Sequence, residues 1–498
     1  MSCDAGALAD ALAAARVGGA FWAARPDLPA GRDLLLAPAI QAEARALCDA
    51  AKADAGRALL VGPFAAWHGI PVLSSLCDPW ALASAAAEVR GSDSELALVG
   101  SLLGKHAADR VAQAGRLISG WAYRDPFTGR PISALDAVTL LAEWRELIDA
   151  NRDIAGVLGV ARWKRVTMDA LLWGGSGPVP HRGARTVATI PDGARVAAWK
   201  TRSAPGLVET LAARGVAVGE IEDGMIRSAG LGANCVPPLS VIVDPRGAHF
   251  DPAQPSTLEH ILQHDDIGPD LVARAAALRQ RLVASGISKY AQATAPAARL
   301  GHGGRRLVLV TGQVEDDRAV LLGGAGCSNR DLLARARAAE PDAELVYKPH
   351  PDVEAGHRKG HIPEAEVLAL ADRIDRSRPI AALLGQVDAL HVISSLAGFE
   401  ALLRGVAVTT HGIPFYAGWG LTRDLGPVPA RRNRARTLDE LVAAVLILYP
   451  RYLDPVTRLP CPVEVLVERM ASGQAAVTSP LVRLREWQGR AQKLLRRP

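Results

Sequence analysis

Short apolar runs alternate along the first part of the chain with longer stretches of helical spacing. The runs at 34–36 and 59–61 predict strands, and the stretches at 41–53, 80–89 and 134–150 predict helices. The residues before this region are rich in Ala, Gly and Pro without a sustained period, so we expect a weakly structured lead. Strands that alternate with helices are typical of α/β domains.

The same alternation continues in two further series. The second has predicted strands at 196–199, 216–221 and 239–243. Polar and glycine-rich segments follow several strands, at the sheet edge where α/β folds bind ligands. In the third series the strands are predicted at 307–310, 344–347, 390–393 and 406–409, and the helices at 331–339 and 398–404. The second and third series together predict a pair of Rossmann-like domains that face a cleft.

An internal repeat suggests how the N-terminal part arose. The segments 123–131 and 452–460 share five identities at one spacing, and 94–104 can be aligned with 395–405. The second match is thin, which leaves chance similarity open. We interpret the N-terminal part as a degenerate half-module without the chemistry of the later copy. The predicted segments are the lead at 1–32, the half-module at 33–150, two Rossmann-like domains at 151–300 and 301–480, and a helix or tail at 481–498.

Composition narrows the function class. The 498 residues are 49% hydrophobic and 22% charged, values of a folded globular chain. Six scattered cysteines without a C-x-x-C pair indicate neither zinc nor a disulfide framework. No apolar stretch is long enough to cross a membrane and no secretion signal opens the chain, so we expect a cytoplasmic protein.

The positive charge is compatible with two kinds of partner. The net charge of +5 permits an anionic ligand or an anionic membrane surface. The aromatic residues form no stacking pattern beside the basic ones, so nucleic acid is not expected. The basic run 431–436 is predicted to face anionic lipid headgroups, with an ordinary solvated charge run as the alternative.

Three motifs follow predicted strands and could carry chemistry. Glu222-Asp223-Gly224 is a candidate catalytic turn or an acidic surface turn. In Lys348-Pro-His350-Pro, the two prolines fix the backbone around the histidine, which is either an anion contact or a structural residue. Ser394-Ser395 precedes a helix and forms either a phosphate site or an ordinary N-cap.

Further candidates surround these motifs. Arg227 lies in the polar segment after the acidic turn, and Glu400 could accept from a ribose hydroxyl or be a solvated helix residue. The segment with Gln313, Glu315 and Asp316 could bind a divalent ion, but its spacing favours a polar rim around an active site. The aromatic residues of 412–421 either contact a sugar or form the core of a packed loop; the two candidates for a sugar contact are Tyr416 and Trp419.

Taken together, these motifs resemble the KpsC-type capsular polysaccharide β-Kdo transferases. The resemblance extends in order over about residues 157–475. It rests on EDG…RS.GLG (222–232), PPLS (237–240), QVEDD (313–317), YKPHPDV (347–353), SSLAGFEALLRG (394–405), GIPFYAGWGLT (412–422) and LILYPRYLDP (446–455).

The resemblance implies a GT-B fold and a transferase that uses CMP-β-Kdo as donor, with no metal and no further cofactor. The acceptor would be a glycolipid or oligo-Kdo chain at the inner membrane, where the enzyme could bind peripherally beside other capsule assembly proteins. The domain at 151–300 would lie on the acceptor side and carry the catalytic acids Glu222 and Asp223, and the domain at 301–480 would bind the nucleotide. His350 would contact the CMP phosphate, Ser394 and Ser395 would form the phosphate loop, and Lys348, Glu400 and Gln313 would complete the donor site.

Retention at the anomeric carbon requires two displacements, for which Asp223 is the expected nucleophile and Glu222 the acid/base or positioning group. The family typically carries two complete modules, whereas this chain has one, which puts the formation of two linkages by one chain in doubt. Two alternatives remain open: a non-catalytic capsule assembly or export factor with the same fold, and an inverting transferase of the CMP-sialate type.

Overall fold

The computed structural model describes residues 4–118, 120–228, 235–288 and 304–475. The chain divides into two compact units. Unit 1 comprises Met1–Ile154 and Asp169–Pro180, and unit 2 comprises Ala155–Met168 and His181–Pro498. The domain boundaries predicted from the sequence remain predictions.

Unit 1 is built on a parallel sheet of four strands in the order β3-β2-β1-β4. Its apolar faces are covered by helices whose buried side chains include Leu8, Trp80 and Leu96. The strands are β1 Leu34–Leu36, β2 Ala58–Val61, β3 Val72–Leu73 and β4 Glu88–Arg90, followed by a hairpin of β5 Tyr123–Arg124 and β6 Pro131–Ile132. The helices are α1 Ala5–Ala15, α2 Gln41–Ala50, α3 Pro79–Ala85, α4 Ser94–Leu102, α5 Arg110–Leu117 and α6 Ala134–Arg152.

Two expectations for unit 1 are wrong. The lead, predicted to be weakly structured, contains α1, which is capped by Asp4 and buries Leu8 and Leu12 one helical turn apart. The many alanines around these leucines obscured the period. The helix predicted over 80–89 ends at Ala85, and Val89 lies in β4 instead. An apolar run of that length does not distinguish a helix from a helix followed by a buried strand.

The first sheet of unit 2 is mixed, in the order β18-β17-β10-β9-β8-β7. Strands β8 and β9 are parallel, whereas each pair from β9 to β18 is antiparallel. The strands are β7 Ile154–Leu158, β8 Arg195–Ala198, β9 Ala217–Asp223, β10 Ser240–Asp244, β17 Arg451–Leu453 and β18 Pro460–Cys461. The helices that follow these strands in the chain are α7 Arg165–Leu171, α8 Leu207–Ala213, α9 Thr257–His264, α10 Pro269–Ser285, and later α17 Leu438–Val442, a π-helical turn at Ala443–Leu448, and α18 Val463–Ala471.

The second sheet of unit 2 is entirely parallel, in the order β13-β12-β11-β14-β15-β16. Numbered from its first strand, this is the order 3-2-1-4-5-6 of the Rossmann fold, which places a crevice between the loops after β11 and β14. The α/β fold class is confirmed. The strands are β11 Leu307–Thr311, β12 Glu344–Lys348, β13 Arg373–Ile374, β14 Ala389–Val392, β15 Ala407–Thr410 and β16 Arg423–Asp424. The helices are α11 Arg318–Gly323, α12 Asn329–Ala339, α13 Pro351–Glu354, α14 Glu364–Leu368, α15 Ile380–Leu384 and α16 Leu396–Leu403.

The internal repeat is visible in the local structure. The hairpin β5–β6 pairs Tyr123 with Ile132, and β17–β18 pairs Tyr452 with Cys461 at the equivalent register. In each turn an aspartate, Asp125 or Asp454, accepts hydrogen bonds from the backbone amides two and three residues later. The strand order of unit 1 also equals the first four positions of the second sheet of unit 2. These agreements support the interpretation of unit 1 as a shortened copy.

Among the helices of the described ranges, none combines the length and the apolar composition needed to cross a bilayer.

Candidate functional site

Glu222 and Asp223 are the last two residues of β9, not part of a turn after it. Successive strand residues point to opposite faces, so Glu222 shares a face with Glu220 while Asp223 points away from both. Gly224 follows directly, and a Cβ there would lie 2.1 Å from the Ser240 Oγ. The glycine of the first motif is therefore needed for close packing against the serine of PPLS.

Arg318 binds the two glutamates of β9. Its Nη1 atom lies 2.9 Å from Glu220 Oε1 and 3.4 Å from Glu222 Oε1. Glu220 is only 2% exposed and receives a second cation, Lys200, whose Nζ lies 3.1 Å from Oε2. Burial opposes the charge of Arg318, but the hydrogen bond and charge of Glu220 outweigh it and raise the pKa of the guanidinium. Because Arg318 begins α11 after the QVEDD segment, it links the end of β9 to the second sheet.

Asp223 has a different pair of partners. Lys164 Nζ lies 3.3 Å from Oδ1, and Arg227 Nε donates to Oδ2 at 2.8 Å. Arg227 is buried, and its other nitrogens donate to Ser228 Oγ and the Val236 carbonyl. Cations at both oxygens stabilise the anionic form of the carboxylate. The role of Arg227 as a substrate contact stays a prediction; in the structure its guanidinium holds Asp223.

Two of the predicted donor residues meet at the crevice of the second sheet. Gln313 Oε1 accepts from the Ser394 backbone amide at 2.9 Å, and the Gln313 backbone amide donates to Asn329 Oδ1 at 2.8 Å. Ser394 Oγ donates to the Ala319 carbonyl at 3.1 Å. Ser395 is the N-cap of α16, and its Oγ accepts from the Ala397 amide at 3.2 Å. This arrangement leaves the start of α16 held in place beside the loop after β11.

His350 caps the short helix α13. Its Nδ1 accepts from the Asp352 amide at 3.2 Å, which places the proton of the neutral ring on Nε2. Burial lowers the pKa of His350 against the opposing charges of Asp352 and Asp317, and the latter immediately precedes Arg318. The ring is 38% exposed, so Nε2 is available to donate to an anion.

Lys348 is the last residue of β12 and not part of the loop after it. Its Nζ donates to the Arg378 carbonyl at 2.6 Å. Burial lowers the pKa of the ammonium, against the charge of Asp375. The structure therefore places Lys348 beside the 375–378 turn.

The aromatic loop is packed inside unit 2. Tyr416 and Trp419 are both fully buried; the Tyr416 hydroxyl donates to the Ser395 carbonyl at 2.5 Å and the Trp419 indole to the Phe415 carbonyl at 2.9 Å. A Cβ on Gly398 would lie 2.1 Å from the Tyr416 hydroxyl, so the glycine of SSLAG admits this ring. A sugar contact by either ring is not supported, because neither presents a free face. Tyr416 and Trp419 instead form the core of a packed loop, which was the alternative interpretation of this segment.

The remaining candidates lie around the second sheet. Glu315 Oε1 accepts from the Asn329 amide at 2.7 Å at the start of α12, and the exposed Asp316 pairs with Arg358 at 3.1 Å. Glu400 is 8% exposed on α16, so the solvated alternative for it is wrong. Among the described residues, no group of three or more His, Cys, Asp or Glu is arranged to hold a metal ion.

The basic run does not face lipid as predicted. Arg432 and Arg436 are buried, because Arg432 pairs with Glu259 and Arg436 donates to the last carbonyls of α9. Arg431 also pairs with Glu259, and Arg434 pairs with Asp266. The run therefore attaches the loop before α17 to α9, and its charges are neutralised within unit 2.

Sequence reasoning missed Lys164, Glu220 and Arg318. The alternation in G-E-I-E places Glu220 on the face of Glu222, and Arg318 directly follows QVEDD, so both had a detectable signal. The sequence carried little signal for Lys164, since a single basic residue after a strand is common.

Comparisons with known proteins show which family the chain belongs to. The sequence model of a family described as capsule polysaccharide biosynthesis protein matches residues 270–452. A solved structure of Thermosulfurimonas dismutans KpsC, described as a β-Kdo 2,4 transferase, is 30% identical with a TM-score of 0.55 and covers 64% of this chain and 98% of its own. The chain belongs to the KpsC-type family of capsule polysaccharide biosynthesis proteins.

Other KpsC-type relatives extend the comparison. The β-Kdo 2,7 transferase structure of the same organism is 29% identical with a TM-score of 0.51, covering 64% of this chain and 99% of its own. The capsule polysaccharide modification protein LipA of Neisseria meningitidis serogroup A is 37% identical over 348 residues, 67% of this chain. This chain spans about half of the LipA length, since the match covers 48% of it.

We expect Arg318→Met to lower the free energy of unfolding by about 3 kcal/mol, because it removes one of the two cations from the buried Glu220. In a Glu220→Gln background the same substitution should cost markedly less. Urea denaturation of the two single variants and the double variant measures this difference. Arg330→Met is the control: it breaks the exposed pair with Glu366 and should change stability by less than about 1 kcal/mol. Equal losses for Arg318→Met and Arg330→Met would contradict the assignment.

Proposed function

We propose that this chain is a GT-B-type glycosyltransferase that transfers Kdo from CMP-β-Kdo to a glycolipid or oligo-Kdo acceptor, with retention of the anomeric configuration. The observation that carries the proposal is the position of Asp223: it ends β9, is held by two cations, and follows the Glu222 that Arg318 ties to the second sheet. The names of the two KpsC structures, both Kdo transferases, support the choice of sugar.

The second sheet would bind the nucleotide. CMP is a good leaving group once its phosphate is neutralised, so donors aimed at the phosphate supply most of the help that it needs. His350 Nε2 can donate to a phosphate oxygen, and the first turn of α16 offers backbone amides behind Ser395. Gln313 and Ser394 form the floor beside this turn, while Glu400 remains a candidate ribose contact.

The first sheet would act on the sugar. In the first displacement, an Asp223 oxygen attacks the anomeric carbon, the bond from that carbon to the phosphate oxygen breaks, and CMP leaves with the electron pair. In the second, the acceptor hydroxyl attacks the same carbon and gives its proton to Glu222, while Asp223 leaves as a carboxylate. Two inversions give net retention, and neither step in this scheme requires a metal or cofactor.

The capsule setting defines the partners of the reaction. We propose a lipid-linked acceptor at the cytoplasmic face of the inner membrane, with the enzyme bound peripherally beside other capsule assembly proteins. Glu315 and Asp316, after β11, remain our candidates for contacts to the acceptor at the rim of the site.

Asp223→Asn should abolish transfer, by at least about 1,000-fold, because the amide cannot act as the nucleophile. CMP affinity should be unchanged, since the side chain acts on the sugar. Release of CMP from CMP-Kdo with a lipid acceptor measures transfer, and calorimetry measures affinity. Asp439→Asn, which loses a pair with Arg279 on α10, is the control and should remain active.

Intact mass spectrometry of the wild type with CMP-Kdo and a poor acceptor should show one added Kdo on the peptide that contains Asp223. An adduct on another carboxylate would move the nucleophile there. No adduct together with an inverted product would favour the inverting alternative, and no nucleotide release from CMP-Kdo, CMP-sialate or UDP-sugars would favour the non-catalytic one.

His350→Ala should weaken CMP binding by about 1.5 to 3 kcal/mol, the range for a hydrogen bond to a charged group. Calorimetric titration with CMP checks this, with thermal melting to show that the fold survives. The exposed His357, on the same loop, gives the matched control His357→Ala, which should bind CMP as the wild type does. Unchanged affinity in His350→Ala would make the histidine a helix cap alone.

A further inference from the structure

Lys164 is a buried lysine in contact with Asp223. It ends a short 3₁₀ turn, Arg162–Lys164, after β7 and is 3% exposed. Its Nζ lies 3.3 Å from Asp223 Oδ1 and 3.1 Å from the ring centre of Trp199. A buried ammonium is costly unless it is paired, so the carboxylate and the aromatic face together account for its place in the fold.

The loop that carries Lys164 is shaped by Gly159. This residue has a φ of +71°, and a Cβ there would lie 2.4 Å from the Trp199 carbonyl oxygen. The Trp199 amide donates to the Leu158 carbonyl at 3.0 Å, which fixes the indole at the end of β8. The loops after β7 and β8 are thus packed together so that the ammonium lies between the Trp199 ring and the end of β9.

Among the described residues, the charges of Asp223, Arg227 and Arg202 act on Lys164. Burial lowers the pKa of Lys164 to about 8; the charge of Asp223 opposes this shift and those of the arginines add to it. Lys164, one of the two cations bound to Asp223, can therefore lose its charge near pH 8.

We propose that Lys164 is a positioning residue that makes Asp223 a good leaving group in the second displacement. The inference rests on the proposed function. In that step the acceptor oxygen bonds to the anomeric carbon, the bond from that carbon to the Asp223 oxygen breaks, and its electron pair returns to the carboxylate. The ammonium lies where this negative charge develops and stabilises it, without touching the sugar.

The same contact acts oppositely on the first displacement. A cation beside a carboxylate stabilises it before the attack and so weakens it as a nucleophile. Removing the cation should therefore slow the breakdown of the glycosyl-enzyme ester more than its formation, and the ester should accumulate. A lysine that only supported the fold would not change the ratio of the two steps.

The test compares Lys164→Met and Lys164→Arg with the wild type, using CMP-Kdo and acceptor. Lys164→Met should lower turnover by about 100-fold and raise the fraction of protein that carries one Kdo in intact mass spectra. Lys164→Arg keeps the charge and should restore part of the turnover. The exposed Lys52 of unit 1 gives the control Lys52→Met, which should behave as the wild type.

The dependence of turnover on pH distinguishes lysine from arginine at position 164. We expect the wild type to keep its maximal turnover below about pH 8, where Lys164 is protonated. Above that pH the ammonium loses its proton, and turnover should fall as the pH rises. Lys164→Arg should not show this decline, because arginine stays protonated. Identical alkaline declines in the wild type and Lys164→Arg would overturn the inference, as would an unchanged ester fraction in Lys164→Met.

An NMR titration of Lys164 in the absence of CMP-Kdo tests its contact with Asp223 independently of activity. NMR of lysine-labelled protein, with the Lys164 signal assigned by its loss in Lys164→Arg, should show a pKa near 8 that falls in Asp223→Asn. An unchanged pKa in Asp223→Asn would overturn the inference even if every variant is active. A wild type that neither releases CMP nor forms an ester would overturn the proposed function, and an active wild type with a normal Lys164→Met would overturn only the role of Lys164.

Discussion

The buried carboxylate of Glu220 is the constraint on which the site depends. An ionised carboxylate at 2% exposure is costly to bury unless cations contact it, and its cations are Arg318 and Lys200. Arg318 comes from the second sheet, so neutralising Glu220 also holds the end of β9 beside the loop after β11. Glu222, which contacts the same guanidinium, is thereby held beside that loop.

Adjacent acids at a strand end have separate surroundings. Glu222 shares Arg318 with another carboxylate, whereas Asp223 has two cations of its own. The two carboxylates have different partners because adjacent side chains of a strand lie on opposite faces. Glu222 is thereby tied to Arg318, whereas Asp223, the proposed nucleophile, is held by Lys164 and Arg227.

The sequence predicted seven of the twelve described strands of unit 2, β8 to β12, β14 and β15, because an apolar run followed by polar residues is a local signal. It could not predict the pairing of Arg318 with Glu220, since 98 residues separate the two. The burial of Tyr416, Trp419 and Arg432 was also hidden. The sequence alone does not show whether an aromatic or basic side chain faces a ligand or lies buried in a loop. Their burial is seen only in the structure, where Tyr416 packs against Gly398 and Arg432 pairs with Glu259.

The central claim is that a nucleotide held by the second sheet delivers its sugar to Asp223. A crystal structure of the Asp223→Asn variant with CMP-Kdo tests it most directly. We expect the phosphate within hydrogen-bond distance of His350 Nε2 and the first turn of α16, and the anomeric carbon about 3 to 3.5 Å from the side chain at position 223. A nucleotide bound elsewhere, or a sugar that reaches Glu222 and not position 223, would contradict the account.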